Sequence, residues 1–149
     1  MSKVRVLNPI DNTDIFGVIH ALTLTSKHKG IINTVEAPIH LVEGKHIGPN
    51  SGFGVEHIWA EHSKEIISAG YAGLHLVPAY VQRILAAPAA IYFEDRQVAR
   101  PRVNTVRIVT GTVILEYVRT VIDGVERPHW SVVTAYSNTR TVGVLVGGI

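Results

Sequence analysis

The sequence predicts an α+β domain with N-terminal helices packed on a C-terminal antiparallel β-sheet. Three observations carry that expectation. Apolar residues recur every three or four positions between Gly54 and Ile66, alternate every second position after Ala90, and turn-forming residues separate the segments. Helices followed by strands are the order that produces segregated layers.

The elements follow in chain order. Residues 8–30 open on turn formers and offer Thr13 or Asp14 as a helix cap. Ile15, Phe16, Val18, Ile19 and Leu22 then suit a short helix ending near Gly30. Residues 39–42 alternate and read as a short strand, after which glycine, proline and asparagine indicate a loop. In "GFGVEHIWAEHSKEI", Val55, Ile58, Trp59, His62 and Ile66 define the apolar stripe of a helix over 55–68, which Gly70 and Gly73 end. Pro78 fits a first helical turn, and Val81, Ile84 and Leu85 continue a second helix over 78–86. "AIYFED", "NTVRIVTGTVILEYVRTVI", "PHWSVVTAYS" and "TVGVLVG" read as strands, the second as one long strand or two, with Asp123-Gly124 as a turn. The chain reads as one domain, 1–149, with a helix/strand extension over 1–50 and the helices plus sheet over 52–149.

Composition narrows the chemistry. At 149 residues, 46% hydrophobic and 17% charged, the chain has the makings of a packed core. No stretch approaches the roughly 18 apolar residues of a membrane span. "MSKVRVLNP" lacks the apolar segment of a secretory signal, so a chain starting at its own methionine and folding in the cytoplasm, with no membrane partner, is expected. The absence of cysteine excludes disulfides, thiol catalysis and cysteine-based metal sites. Net charge is only +2, yet arginine outweighs acid toward the carboxyl terminus, which is compatible with a polyanionic partner.

Two histidines stand on the first long helix. At about 100° per residue, His57 and His62 lie about 140° apart and do not share a face. His62 falls in the apolar stripe, whereas His57 lies opposite with Glu61, Lys64 and Ser68. That spacing does not suit a metal pair, and no third group marks His57 and Glu61 as ligands, so neither a metal nor a cofactor is expected. On the sheet, an even-length hairpin loop at Asp123-Gly124 puts Val113, Leu115, Tyr117, Arg119 and Val121 on one face with Trp130, Val132, Thr134 and Tyr136. Arg119, Thr134 and Tyr136 are then expected to point the same way.

In combination, the glycine-rich entry to "HIWAEH", the proline-started helix and the arginine-bearing strands ending in "WSVVTAYS" resemble the barnase/EndoU/colicin/RelE-like ribonuclease superfamily, closest to its phage and polymorphic-toxin branch. The resemblance covers Gly52 to about Asn138 and departs from the family pattern at Glu61, where a basic residue usually precedes the second histidine. It implies a metal-independent endoribonuclease, toxin-like or phage-encoded, that cleaves RNA through 2′-hydroxyl attack to leave a 2′,3′-cyclic phosphate. It implies His57 as acid–base group, His62 as its partner or positioning residue, and Arg119, Thr134 and Tyr136 around the phosphate. Histidine titrates near neutral pH, and arginine and hydroxyl groups bind phosphate oxygens, so the residue types suit those roles. RNA, with tRNA as one candidate, and an inhibitor or immunity protein are the partners implied. Two other readings stand beside it: a non-catalytic phage or mobile-element binding protein of the same fold, and a metal-dependent hydrolase built on His57 and Glu61.

Overall fold

Strand-forming sequence runs almost end to end in the computed structural model, which describes residues 2–149. The elements are β1 (Ser2–Arg5), β2 (Val18–Ile19), β3 (Thr23–Ser26), β4 (Gly30–Asn33), β5 (Ala37–His40), β6 (Val42–Gly48), β7 (Ser51–Phe53), α1 (Gly54–Ser68), α2 (Val77–Leu85), β8 (Ala90–Phe93), β9 (Arg102–Arg107), β10 (Gly111–Ile122), β11 (Val125–Tyr136) and β12 (Val144–Gly148). A 3-10 turn over Leu74–Leu76 leads into α2. Seven strands form the main sheet in the order β12-β8-β9-β10-β11-β5-β2. Neighbours are antiparallel except β11 and β5, which run parallel through Trp130–Ile39 and Ser131–His40. A three-stranded sheet (β1-β6-β7) and the β3-β4 hairpin complete the strands described.

This corrects the expected α+β arrangement of N-terminal helices on a C-terminal sheet. The helices occupy the middle of a mostly β chain, and the main sheet recruits β2 and β5 from the first third. The helix expected to end near Gly30 is instead β2, β3 and β4. Phe16, Ile19 and Leu22 are buried three residues apart and so imitate a helical stripe. Thr23–Ser26 nevertheless alternates exposed and buried, and threonine and glycine favour strands and turns over helix. Thr13 caps no helix; its amide and hydroxyl both donate to Asp11 Oδ1, at 3.0 and 2.8 Å, closing a turn. The loop expected after Val42 contains β6 and β7, a hairpin turning at Pro49-Asn50 with Asn50 at φ 56°. Gly44 lets that hairpin sit flush on the start of α1, since a Cβ there would collide with the Phe53 carbonyl.

From Gly54 onward both helices begin and end within one residue of the expected limits. The long apolar run divides into β9 and β10, and Asp123-Gly124 closes β10 onto β11 with φ of 51° and 75°, the positive pair of a two-residue hairpin. Ile58, Ile66, Val81 and Ile84 of the helices are buried in one cluster with Leu115, Trp130, Val132 and Ala135 of the sheet. Phe16, Ile19, Leu24, Ile39 and Leu41 belong to the same cluster, so the first third of the chain contributes side chains to the core. Burial of each large apolar side chain contributes about 1.5–3 kcal/mol, so the first third is tied to the rest energetically as well as by pairing.

Candidate functional site

The expected alignment of Arg119, Thr134 and Tyr136 fails at one residue. Tyr117 pairs with Trp130 and Leu115 with Val132, as an even loop requires, but Ile114 then pairs with Thr134, leaving Val133 as an extra residue in β11. A one-residue slip reverses every later side chain. Thr134 and Tyr136 therefore lie opposite Ile114 and Thr112, on the alternate side from Leu115, Tyr117 and Arg119. Thr134 Oγ1 is buried with no hydrogen-bond partner among the described residues and offers nothing to a substrate. Arg119 stands exposed toward the hairpin end, ion-paired with Glu126. It borders a depression of about 520 Å³ with Lys3, Arg5, Arg100, Arg102, His40 and His129. Much of the positive charge there is already answered, by Asp14 at 3.1 Å from Arg5 and by Glu116 at 3.5 and 3.4 Å from Arg100 and Arg102.

Of the two helical histidines, His57 departs from the environment expected of it. His57, expected on the open side of α1, is 4% exposed, because β6 and β7 cover that side. Burial pushes its imidazole below the ordinary histidine pKa; Glu61 opposes that shift, and His46 and His62 add to it. His57 Nδ1 lies 3.1 Å from Nδ1 of His46, with the rings stacked at 5.3 Å. Glu61 completes the group: the ligand atoms of His46, His57 and Glu61 lie within 4.8 Å of one another. The third group missing from the sequence is thus His46, eleven residues before His57 on a strand that read as loop.

His62, expected in the apolar stripe, sits where α1 kinks (φ −128°, ψ 17°) and is partly buried, with a quarter of its side chain exposed. Its ring packs 5.4 Å from that of Tyr136, and its Nδ1 lies 3.5 Å from Glu65 Oε2. The other Glu65 oxygen accepts the Ser137 amide at 2.6 Å, so the carboxylate bridges the helix to the end of β11. His62, Glu65 and Tyr136 border an open cleft of about 670 Å³ whose far wall is Asn138, Thr139, Arg140 and Thr141. Arg140 is held by Glu94 through two bonds of 2.6 and 3.1 Å, and its amide donates to Thr112 Oγ1 at 2.8 Å. Arg140 first, then Arg96 and Asn104, hold the Glu94 carboxyl down at about 2, so the acid stays ionised and Arg140 stays in place. Burial raises the Tyr136 phenol above its usual value and keeps it a proton donor at neutral pH.

Of the expected residues, the structure brings His62 and Tyr136 together and leaves His57, Arg119 and Thr134 elsewhere. Sequence reasoning missed Glu65, although its three-residue spacing from His62 was a visible helical signal. It missed Arg140 because the residue lies in a loop after β11 with no period to mark it. The cleft holds an imidazole, a carboxylate 3.5 Å from it, a neutral phenol and a fixed guanidinium, the parts needed for proton transfer beside an anion. Among the described residues no helix is long and apolar enough to cross a membrane. No family model, curated protein or solved structure matches this chain.

Proposed function

We propose that the protein is a metal-independent endoribonuclease whose chemistry is centred on His62. The observation that supports this reading most is the placing of His62 beside Tyr136 and Glu65 across an open cleft from Arg140. It keeps the reaction class implied by the family resemblance and moves the catalytic role from His57, which is buried, to the histidine that borders a cavity. Glu65 engages His62 Nδ1 and leaves Nε2 for substrate. In the proposed reaction Nε2 takes the proton of the RNA 2′-hydroxyl, whose oxygen attacks the adjacent phosphorus. The bond from phosphorus to the 5′-oxygen breaks, and the Tyr136 hydroxyl supplies that oxygen with a proton. Arg140, with the Thr139 and Thr141 hydroxyls, binds the phosphate oxygens as negative charge builds on them. The products are a 2′,3′-cyclic phosphate and a free 5′-hydroxyl.

Incubation of the full chain with total RNA in EDTA, followed by end-group analysis, tests the proposal. Wild type is expected to leave cyclic phosphate ends, and His62→Ala to cleave about 10²–10⁴-fold more slowly, as loss of one acid–base group does. Circular dichroism is expected to stay unchanged, because His62 is only partly buried. Intact RNA across substrates and pH refutes the nuclease and leaves a nucleic-acid or protein binding module. Cleavage that requires added metal refutes the mechanism and moves the chemistry to the neighbourhood of His46, His57 and Glu61.

A further inference from the structure

We propose that His46, His57 and Glu61 bind a divalent transition-metal ion, zinc being the ion that suits them best. This inference does not rest on the ribonuclease reading, and none of the three residues lines the His62–Tyr136 cleft. It reverses the expectation of no metal, which depended on the lack of a third ligand.

Geometry carries the argument. The two imidazole nitrogens are 3.1 Å apart, and the carboxylate oxygen joins them within 4.8 Å. Ligand atoms about 2.0 Å from a tetrahedral ion are about 3.3 Å from each other, so small side-chain rotations complete the set. The surroundings are built for it. His57 and Glu61 are four residues apart and share a face of α1, while His46 reaches them from β6. Gly52, paired with His46 across the hairpin, makes room for the imidazole: a Cβ there would lie 2.7 Å from His57 Nδ1. The Asn50 amide donates to Glu61 Oε1 at 2.6 Å, orienting the carboxylate as outer partners orient metal ligands. Without an ion, one Nδ1 must carry a hydrogen and donate it to the other. An ion uses both lone pairs, and the donor ring moves its hydrogen to Nε2.

The donor set selects the metal. Two imidazoles and a carboxylate suit zinc and its first-row neighbours, whereas magnesium and calcium prefer oxygen alone. Three protein ligands leave a fourth position for water. Binding ties the β6–β7 hairpin to α1, so the ion is expected to raise thermal stability.

Zinc titration of the full, untagged chain after EDTA stripping and dialysis tests the site, by calorimetry, elemental analysis and thermal melting with ZnCl2. One zinc per chain and a raised melting temperature are expected. His46→Ala, whose parent side chain is exposed, and Glu61→Gln are expected to lose affinity by at least the 10–100-fold typical of removing an outer-sphere partner. His75→Ala, outside the cluster, is expected to bind as wild type does. Wild type that takes up no zinc, His46→Ala that binds it equally well, or an equal stabilisation by MgCl2 would each overturn the proposal.

Discussion

Replacing Glu94 with glutamine is expected to weaken the whole protein and to change how it responds to acid. Glu94 accepts from Arg140 at 2.6 and 3.1 Å, from Arg96 at 2.7 Å and from Asn104 at 3.2 Å. These partners hold its carboxyl at about 2, against an ordinary value of 4.5. At about 1.4 kcal/mol for each tenfold change in proton affinity, that preference for the ionised form is worth about 3 kcal/mol. The two guanidinium groups are 40% and 37% exposed, so solvent screening reduces the figure to about 2 kcal/mol. The sign follows from linkage. A carboxyl depressed in the folded state contributes its full stability above pH 4.5 and loses it as pH falls through about 2. Urea unfolding at pH 7 is therefore expected to show Glu94→Gln about 2 kcal/mol less stable, equivalent to about 4–8 °C in melting temperature for a chain of this size. Between pH 5 and 2 the wild type should lose that advantage and the two curves converge. A variant as stable as wild type at pH 7, or a constant gap down to pH 2, would refute the reasoning.

Other outcomes follow from the same geometry. Arg140→Ala is expected to reduce RNA cleavage and its salt dependence, whereas Arg119→Ala should leave turnover and stability close to wild type, because its ion pair is exposed; equal loss of activity in both variants contradicts the placing of the cleft. His57→Ala removes a buried group facing His46, so guanidinium unfolding without metal should report a loss of about 1–3 kcal/mol. His129 has its pKa lowered by burial, then by His40, Arg5 and Arg100, with the Arg127 backbone acting the other way. Its folded-state value lies below 6.5, so its contribution is full above that pH and is lost on acidification; His129→Asn should flatten stability just below pH 6.5, checked by melting curves at half-unit intervals.

Local periodicity in this chain is dependable where an element is long enough to repeat its own pattern, or where a turn has its own residue chemistry. α1, α2 and the Asp123-Gly124 hairpin were legible for that reason: each carries its own period or turn chemistry within a dozen residues. The first third was not legible, because β2 to β5 are only two to four residues long, too short to show a period, and β5 pairs in parallel with β11 across some ninety residues. Nothing local distinguishes the spacing of Phe16, Ile19 and Leu22, in and beside β2 and β3, from about two turns of a helical stripe.

The sequence by itself determined the residue chemistry: no cysteine, histidines and glutamates on one helix, and a strand ending in tyrosine. Tertiary structure decided which of them meet. The extra residue at Val133 turned Thr134 and Tyr136 away from Arg119, and a hairpin laid over α1 buried His57 and brought His46 to it. The kink at His62 then left that histidine, with Glu65 and Tyr136, at the edge of an open cleft. Side-chain period is a property of neighbours along the chain, whereas a bulge, a covering hairpin and a helix kink arise from packing between segments. For that reason no reading of consecutive residues could supply them.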